Sequence, residues 1–295
     1  MIAIQKKAAL RIRKLLGLMI FLSLLISTLA AEKNEEKAGL LGPWKATTEL
    51  SYVVASGNTS TSTFSLGINF TRKWAKDTLT LKSFILRSSA TTVKRRAEGT
   101  ETDFEIIEES TKELVAENYL LSGQYDRNFS KKLRGQLGAS WERNKFSGID
   151  RRYMLIGGLG YSWIDTKQTQ VKIDAGITCT SRKYIGQDAD SFAGFRFNLF
   201  AEQKISDKSS ISSQFIFDDN LKDIQDWRYD WTNSIAASIS RSLALKASYR
   251  ILHTNAPAMT NLPLYDPEGQ PTGLTVPFVL KKLDTFFTTS IVINF

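Results

Sequence analysis

His253 is the single histidine of the chain, and it lies in the segment RILHTN. A histidine next to a serine and an asparagine can serve as the general base of a lipid hydrolase. Serine and asparagine are abundant throughout this sequence, however, and no distinctive motif surrounds His253. A catalytic role has to be argued from a site rather than from one residue type. We therefore interpret His253 as a residue at the rim of the fold, in polar surroundings, and predict no catalytic residue.

Metal and cofactor chemistry find no support in the sequence. The chain has no H-E-x-x-H motif, no cysteine pair and no histidine cluster, so we predict neither a metal site nor a cofactor. The single cysteine, Cys179, alternates in step with the apolar residues Val171, Ile173 and Ile177. That position suits a small hydrophobic side chain, whereas a reactive thiol needs a basic and exposed setting.

Charged residues recur on one side of alternating segments, opposite an apolar side. If those segments are strands that surround a lumen, these side chains face inward. They can line a channel and set its preference for ions, or they can pair into a network that fills and stiffens the interior; the sequence leaves both open. Bases outnumber acids, which favours anionic solutes if the lumen conducts. The predicted lumen-lining residues are Lys82, Arg134, Glu142, Lys172, Asp174, Arg182, Arg196, Glu202, Asp218, Arg228, Asp230, Lys246 and Arg250.

The elements that carry these residues have a period of two, which indicates β-strands. Phe64, Leu66, Ile68 and Phe70, for example, alternate with small polar residues, and no convincing amphipathic helix interrupts the pattern. The strands are long enough for the ~9–11 residues that a tilted membrane strand needs. About twelve strands are predicted, near 44–56, 61–74, 78–89, 113–128, 132–145, 151–165, 169–184, 191–205, 209–219, 226–241, 243–254 and 283–295.

The connections alternate in length along the chain. Every second connection is a few residues long, whereas residues 90–112 form a charged segment and residues 255–282 contain five of the six prolines. Short turns at one end and long loops at the other are typical of outer-membrane barrels. The sequence therefore predicts an all-β fold, a membrane-spanning antiparallel up-and-down β-barrel with long outer loops at 90–112 and 255–282. The loop 90–112 could bind divalent ions, lipopolysaccharide or a partner, but we favour a solvated surface loop.

The first residues have the layout of a secretory signal peptide. Five bases precede an apolar stretch, and Thr28 and Ala30 are the small residues of a cleavage site. We predict a signal peptide at 1–30, a short segment at 31–43 and the barrel at 44–295. Without the five bases of the signal, the net charge of +9 falls to about +4. The basic balance is thus largely a targeting feature, and we predict no nucleic-acid partner.

The segment TTSIVINF, residues 288–295, continues the alternation to the end of the sequence. We predict that this strand pairs with the first strand, because closure leaves no edge with unpaired backbone groups. Phe295 is then expected to face lipid and to act as the signal that barrel-assembly machinery recognises.

Two stretches carry a resemblance to a known family. Trp44 to Trp74, with Ser56-Gly57-Asn58-Thr59 at its first turn, and the run from Tyr125 to Trp163 resemble the salt-induced outer-membrane proteins of Gram-negative bacteria, the family of domain of unknown function 481. The long segments at 90–112 and 255–282 depart from that pattern. The resemblance implies a β-barrel in the outer membrane and brings no catalytic residue and no ligand.

Together these patterns predict a non-enzymatic, porin-like barrel in the cell outer membrane. It would be a narrow pore for ions or small solutes, or a structural or stress-related envelope protein. Its expected partners are outer-membrane lipid, lipopolysaccharide and the barrel-assembly machinery. The alternatives are a lipid hydrolase centred on His253 and a binding protein that acts through the segments 90–112 and 255–282.

Overall fold

β-Strands make up most of the chain that the structure describes. The computed structural model describes residues 44–55, 59–99, 104–145, 147–268 and 270–295. Within those ranges no helix is long and apolar enough to cross a membrane. The strands in the same ranges are β1 (Trp44–Ala55), β2 (Thr59–Trp74), β3 (Asp77–Gly99), β4 (Phe104–Asn128), β5 (Leu133–Asn144), β6 (Ile149–Asp165), β7 (Thr169–Tyr184), β8 (Ala189–Ser206), β9 (Ser209–Asn220), β10 (Arg228–Ser238), β11 (Leu243–Thr254), β12 (Met259–Tyr265), β13 (Pro271–Val279) and β14 (Leu283–Asn294).

Twelve of these strands close into one antiparallel barrel, in the order β1-β14-β11-β10-β9-β8-β7-β6-β5-β4-β3-β2. The seam joins β1 to β14, with Thr47 opposite Asn294 and Leu50 opposite Ile291. The predicted all-β, antiparallel barrel and its closing pair of strands are therefore confirmed. Closure gives each strand a partner on both sides, which satisfies the backbone groups that an open sheet leaves at its edges.

The two faces of the barrel have inverted polarity compared with a soluble sheet. Large apolar side chains point outward and are exposed: Leu137 and Leu155 are each 62% exposed, and Phe287 is 72% exposed. Polar side chains point inward and are buried, including Glu142 and Asp174 at 7% each. The strand period of two separates these faces residue by residue. The interior is thus a polar lumen rather than an apolar core.

The two segments predicted as long loops contain regular β-structure instead. β3 and β4 continue to pair until Gly99 lies opposite Phe104. Along this extension, residues of opposite charge are register partners, such as Lys94 with Glu109 and Arg95 with Glu108, an arrangement that favours antiparallel pairing. The sequence did not predict this hairpin, because charged residues interrupt the apolar alternation there.

The segment 255–282 contains β12 and β13, which form a separate two-stranded sheet. Its prolines argued against strands in the sequence. A two-stranded ribbon has two free edges, however, and proline is tolerated at edges and at the first residue of a strand, where Pro271 lies.

The short connections lie together at one end of the barrel, as predicted. They are residues 75–76, 129–132, 166–168, 207–208 and 239–242. At the opposite end the connections 145–148 and 185–188 are equally short, so the expectation that most connections there are longer is wrong. Length at that end comes from the β3–β4 extension and from residues 255–282. The predicted signal peptide and the segment 31–43 lie outside the described residues.

Candidate functional site: the charged barrel lumen

The strand register places all thirteen of the predicted lumen residues on the inward face. One continuous example runs from Asp174 on β7 to Asn198 on β8, and from Asn198 to Ile216 on β9. From Ile216 the register continues to Asp230 on β10. Whether these side chains serve transport stays a prediction. Their contacts show how far the lumen is filled.

A chain of alternating charges crosses the middle of the lumen. Glu142 on β5 accepts from Arg152 on β6 at 2.5 Å and contacts Arg228 on β10 at 3.6 Å. Asp218 on β9 holds Arg228 at 2.9 Å and binds Arg196 on β8 through both of its oxygens, at 2.6 and 2.8 Å. We call these five residues the central ion-pair chain. Its side chains are only 7–21% exposed.

One contact of this chain spans the barrel. β5 and β10 are separated by four strands in one direction and by six in the other, so they lie on nearly opposite walls. The contact between Glu142 Oε2 and Arg228 Nη1 therefore bridges the lumen, whereas the contacts of Glu142 with Arg152 and of Asp218 with Arg196 join neighbouring strands. At 3.6 Å the bridging contact is also the longest in the chain.

Further polar contacts line the wall next to this chain. Arg134 on β5 forms an ion pair with Asp174, which also accepts from Asn198 at 2.8 Å. Gln214 donates to Asn198 at 3.0 Å, so the network continues to β9. Arg250 on β11 binds both oxygens of Asp230. These partners sit on adjacent or next-adjacent strands, and they stiffen the wall without crossing the lumen.

The end of the barrel opposite the short connections is packed. Asp226, in the connection before β10, binds Arg182 through both oxygens at 3.1 and 2.7 Å. Ser147, in the connection after β5, donates to Asp284 on β14 at 3.3 Å. Nearby, Gly148 has a φ of +68°, and a Cβ there would approach Ala258 to 2.6 Å. These contacts join the connections to side chains of the barrel wall at this end.

A cavity of about 440 Å³ remains inside the barrel. Lys82, Arg196, Asp230 and Arg250 belong to its wall. Within the described residues, Lys82, Lys172 and Glu202 have no ion-pair partner, in contrast to the other predicted lumen charges in the central chain. Among the described residues, the lumen thus combines a chain of ion pairs with charged side chains that form no ion pair.

Several lumen charges escaped the sequence prediction. Arg152 and Asp126 obey the same alternation as their neighbours, so a stricter count of the strand period would have found them. Glu49 accepts from Lys246 at 2.7 Å across the seam strand β14, a partner that only closure reveals. Asp226 lies in a connection, where no periodicity applies.

His253 lies on the outward face and packs within an aromatic stack. Its ring centroid is 5.0 Å from that of Trp227 and 5.1 Å from that of Tyr229. In the described part of the chain no hydrogen bond joins His253 to a serine or an acid. The observed surroundings are those of a packing residue rather than the polar rim that the sequence suggested, and nothing in them favours the hydrolase alternative.

Solved structures with a similar outline are bacterial barrels of low sequence identity. The NanC porin shares 9% identity at a TM-score of 0.44, over 85% of this chain and 99% of that chain. An outer-membrane channel from Pseudomonas putida F1 shares 8% identity at 0.42, over 89% and 100% of the two chains. An anion-selective porin from Comamonas acidovorans shares 10% identity at 0.37, over 86% and 99%. TM-scores this low assign no function to this chain.

Family membership is established at the level of sequence. A search of curated proteins gives no match. The family model described as "Protein of unknown function, DUF481" matches residues 48–264, most of the described barrel. Because this match covers well over half of the chain, the resemblance seen in the sequence is confirmed, and the protein belongs to the DUF481 family.

Proposed function

We propose that this protein is a non-enzymatic barrel of the bacterial outer membrane, whose lumen is a narrow path for ions or small anionic solutes. The observation that carries the proposal is the contact between Glu142 and Arg228, which among the ion pairs of the described lumen residues is the one that joins opposite walls. On this proposal the contact closes the path, and its loss opens it.

The outward face supports the placement in a membrane. Exposed leucines such as Leu137 and Leu155 would be unfavourable in water over so wide an area, but they match hydrocarbon. Trp141 pairs with Tyr153 towards one end of the strands, and Trp74 lies at the other, as expected of rings at the two interfaces. Tyr249 lies instead in the middle of β11.

Both the first and the last barrel strand reach the end that carries the short connections, which is the periplasmic end in outer-membrane barrels. A protein of this kind would be inserted by the barrel-assembly machinery and would contact outer-membrane lipid and lipopolysaccharide.

The balance of contacts favours a closed pore over a permanent plug. Along the wall, the pair of Asp218 with Arg196 has two short hydrogen bonds, as does the pair of Asp230 with Arg250. The bridge has one contact at 3.6 Å, and Arg228 keeps Asp218 as a partner when the bridge breaks. The bridge can therefore open while both walls keep most of their ion pairs. Three arginines against two acids in the central chain give it a net positive charge, which favours anions.

The experiment is a planar-bilayer recording of the purified protein at several salt concentrations. We expect small currents whose reversal potential in a salt gradient indicates anion preference. A bilayer that stays silent at every voltage and salt concentration would overturn the pore and leave a structural role for the envelope.

Placement in the membrane has its own test. Leu159→Arg would put a charge near the middle of the lipid face and is expected to lower the free energy of unfolding in vesicles by about 2–4 kcal/mol. The control is Gln168→Arg, in a short connection, for which the loss should be about 0–1 kcal/mol. Equal small losses would show that the outward face does not meet hydrocarbon.

A further inference from the structure

Two bases face each other on the outward side of the barrel without a compensating acid. Arg151 on β6 is the register partner of Lys183 on β7, and the next strand places Ala189 beside Lys183. Like charges directly opposite on neighbouring strands repel each other. In the described ranges neither base forms an ion pair, so the local positive charge is left for something outside the chain.

Other bases on the same face, by contrast, have carboxylate partners. Arg143 on β5 contacts Glu117 at 3.6 Å and Asp150 at 3.8 Å. Lys145 binds the same Glu117 at 2.7 Å. The fold thus supplies carboxylates to these two bases, but not to Arg151 and Lys183.

An apolar groove begins directly next to the pair. The next outward-facing register partners on the same two strands are Tyr153 and Ser181. Both belong to a groove of about 950 Å³ on the outer wall. Its floor is made of small residues, Cys179, Ser181, Ser191 and Ala193, and its sides include Trp141, Tyr153 and Leu155. A slot with a small-residue floor and large apolar sides fits an alkyl chain.

The position along the strands identifies the kind of ligand. Arg151 and Lys183 lie at the end opposite the short connections, one outward-facing step beyond the ring of Tyr153. Interfacial aromatic residues mark the level of lipid headgroups, so bases just beyond them meet phosphate groups. A second outward groove, of about 590 Å³, has no base among its lining residues.

We propose that Arg151 and Lys183 bind the phosphate of an outer-leaflet lipid, with one acyl chain of that lipid lying in the groove. The occupant is a phosphorylated glycolipid of the lipid A type, because the site is at the end that the outer leaflet surrounds. This inference rests on the proposed placement in the outer membrane. It adds a lipid site that is independent of the lumen.

Three probes distinguish recognition of the phosphate group from recognition of the acyl chain. Lipid A, dephosphorylated lipid A with the same chains, and inorganic phosphate are each titrated into the detergent-solubilised full chain and followed by native mass spectrometry. We expect lipid A to bind, and Arg151→Gln and Lys183→Gln each to weaken it about tenfold, because each removes a charge-assisted hydrogen bond. Lys167→Gln removes an exposed base from the turn between the same two strands and should leave the affinity unchanged.

A separate variant tests the role of the groove. Ala193→Phe fills the floor of the groove and is expected to weaken lipid A severalfold while Arg151 and Lys183 remain. Equal affinity for dephosphorylated lipid A, or equal loss in Lys167→Gln, would overturn the phosphate site. Binding of inorganic phosphate as tight as that of lipid A would overturn the role of the groove.

Folding and insertion are read out independently. Removing either base relieves a repulsion, so the thermal midpoint of both glutamine variants in lipid-free detergent should equal or exceed that of the wild type. If the wild-type chain fails to insert into vesicles, the membrane proposal fails. If it inserts normally and the variants bind lipid A like the wild type, only the lipid site fails.

Discussion

Glu142→Gln tests the closure of the lumen at its weakest point. The substitution keeps the size of the side chain and removes the charge that holds Arg152 at 2.5 Å and Arg228 at 3.6 Å. Two unit charges about 4 Å apart attract by about 1 kcal/mol in water and by about 4 kcal/mol at the effective dielectric of a protein. The Arg228 contact is therefore worth between these limits.

Removal of the Glu142 charge should change both the stability of the barrel and the current through it. Because Glu142 is 7% exposed, its loss leaves Arg152 buried with one fewer partner, and we expect the free energy of unfolding to fall by about 3 kcal/mol. The net charge of the central chain rises by one unit. In planar bilayers, the variant should spend more time open than the wild type and show a stronger preference for anions.

The matched control is Glu202→Gln, on the same inward face. Glu202 has no ion-pair partner among the residues that the structure describes, so its loss should change neither stability nor open time appreciably. The double variant Glu142→Gln with Arg228→Gln separates the two effects. It removes the bridge but restores the original net charge, so it should open like the single variant and keep the wild-type ion preference.

A specific pattern of currents would exclude closure of the lumen by the Glu142–Arg228 contact. If the wild type conducts, and both the single and the double variant match it in open time, the bridge between Glu142 and Arg228 does not close the path. An equal effect of Glu202→Gln would likewise show that any inward carboxylate matters and that the bridge has no special role.

Three further changes test the strand packing, the end of the sequence and the outward face. In Gly158→Ala the new Cβ would lie 2.3 Å from the carbonyl oxygen of Ala175 and would push β6 away from β7. The free energy of unfolding, measured in urea, should therefore fall by about 3 kcal/mol. The control is Gly157→Ala, whose Cβ would have its nearest neighbour 3.5 Å away and which should fold normally. Deletion of Phe295 should lower the amount of barrel in isolated outer membranes, and normal levels would exclude its role as an assembly signal. Cys179 is exposed on the outward face, so a membrane-impermeant maleimide should label it about tenfold more slowly in vesicles than after unfolding, and equal rates would place it in water.

The fold was largely predictable because the barrel strands repeat one physical rule. Alternation of apolar and polar residues gave β7 the bounds 169–184 that the structure shows, and the run TTSIVINF predicted the strand that closes the barrel. The rule is less informative outside the barrel wall. Charged residues interrupt the apolar alternation beyond residue 90, and prolines argue against strands in β12 and β13, where they are tolerated because both strands are edges.

Only the inward orientation of these side chains was predictable, because alternation shows on which face of a strand a residue lies but not which residue it contacts. Asp218 and Arg228 could be assigned to the lumen from their own strands, and their pairing across neighbouring strands is a plausible extension. The contact of Glu142 with Arg228 depends instead on the diameter of the closed barrel and on the level of β5 relative to β10. Neither quantity can be read from residue spacing, so the sequence left a channel and a plug equally open.

Whether the lumen is a channel or a plug depends on the free energy of the contact between Glu142 and Arg228. Under the proposed function, a Coulomb attraction of about 1–4 kcal/mol would bias the lumen towards closure by at most a factor between about five and about a thousand, since each 1.4 kcal/mol is tenfold. Such a barrel would be neither a permanent plug nor a freely open pore. The wild type should therefore show brief openings from a mostly closed level, and the frequency of those openings measures the free energy of the contact between Glu142 and Arg228.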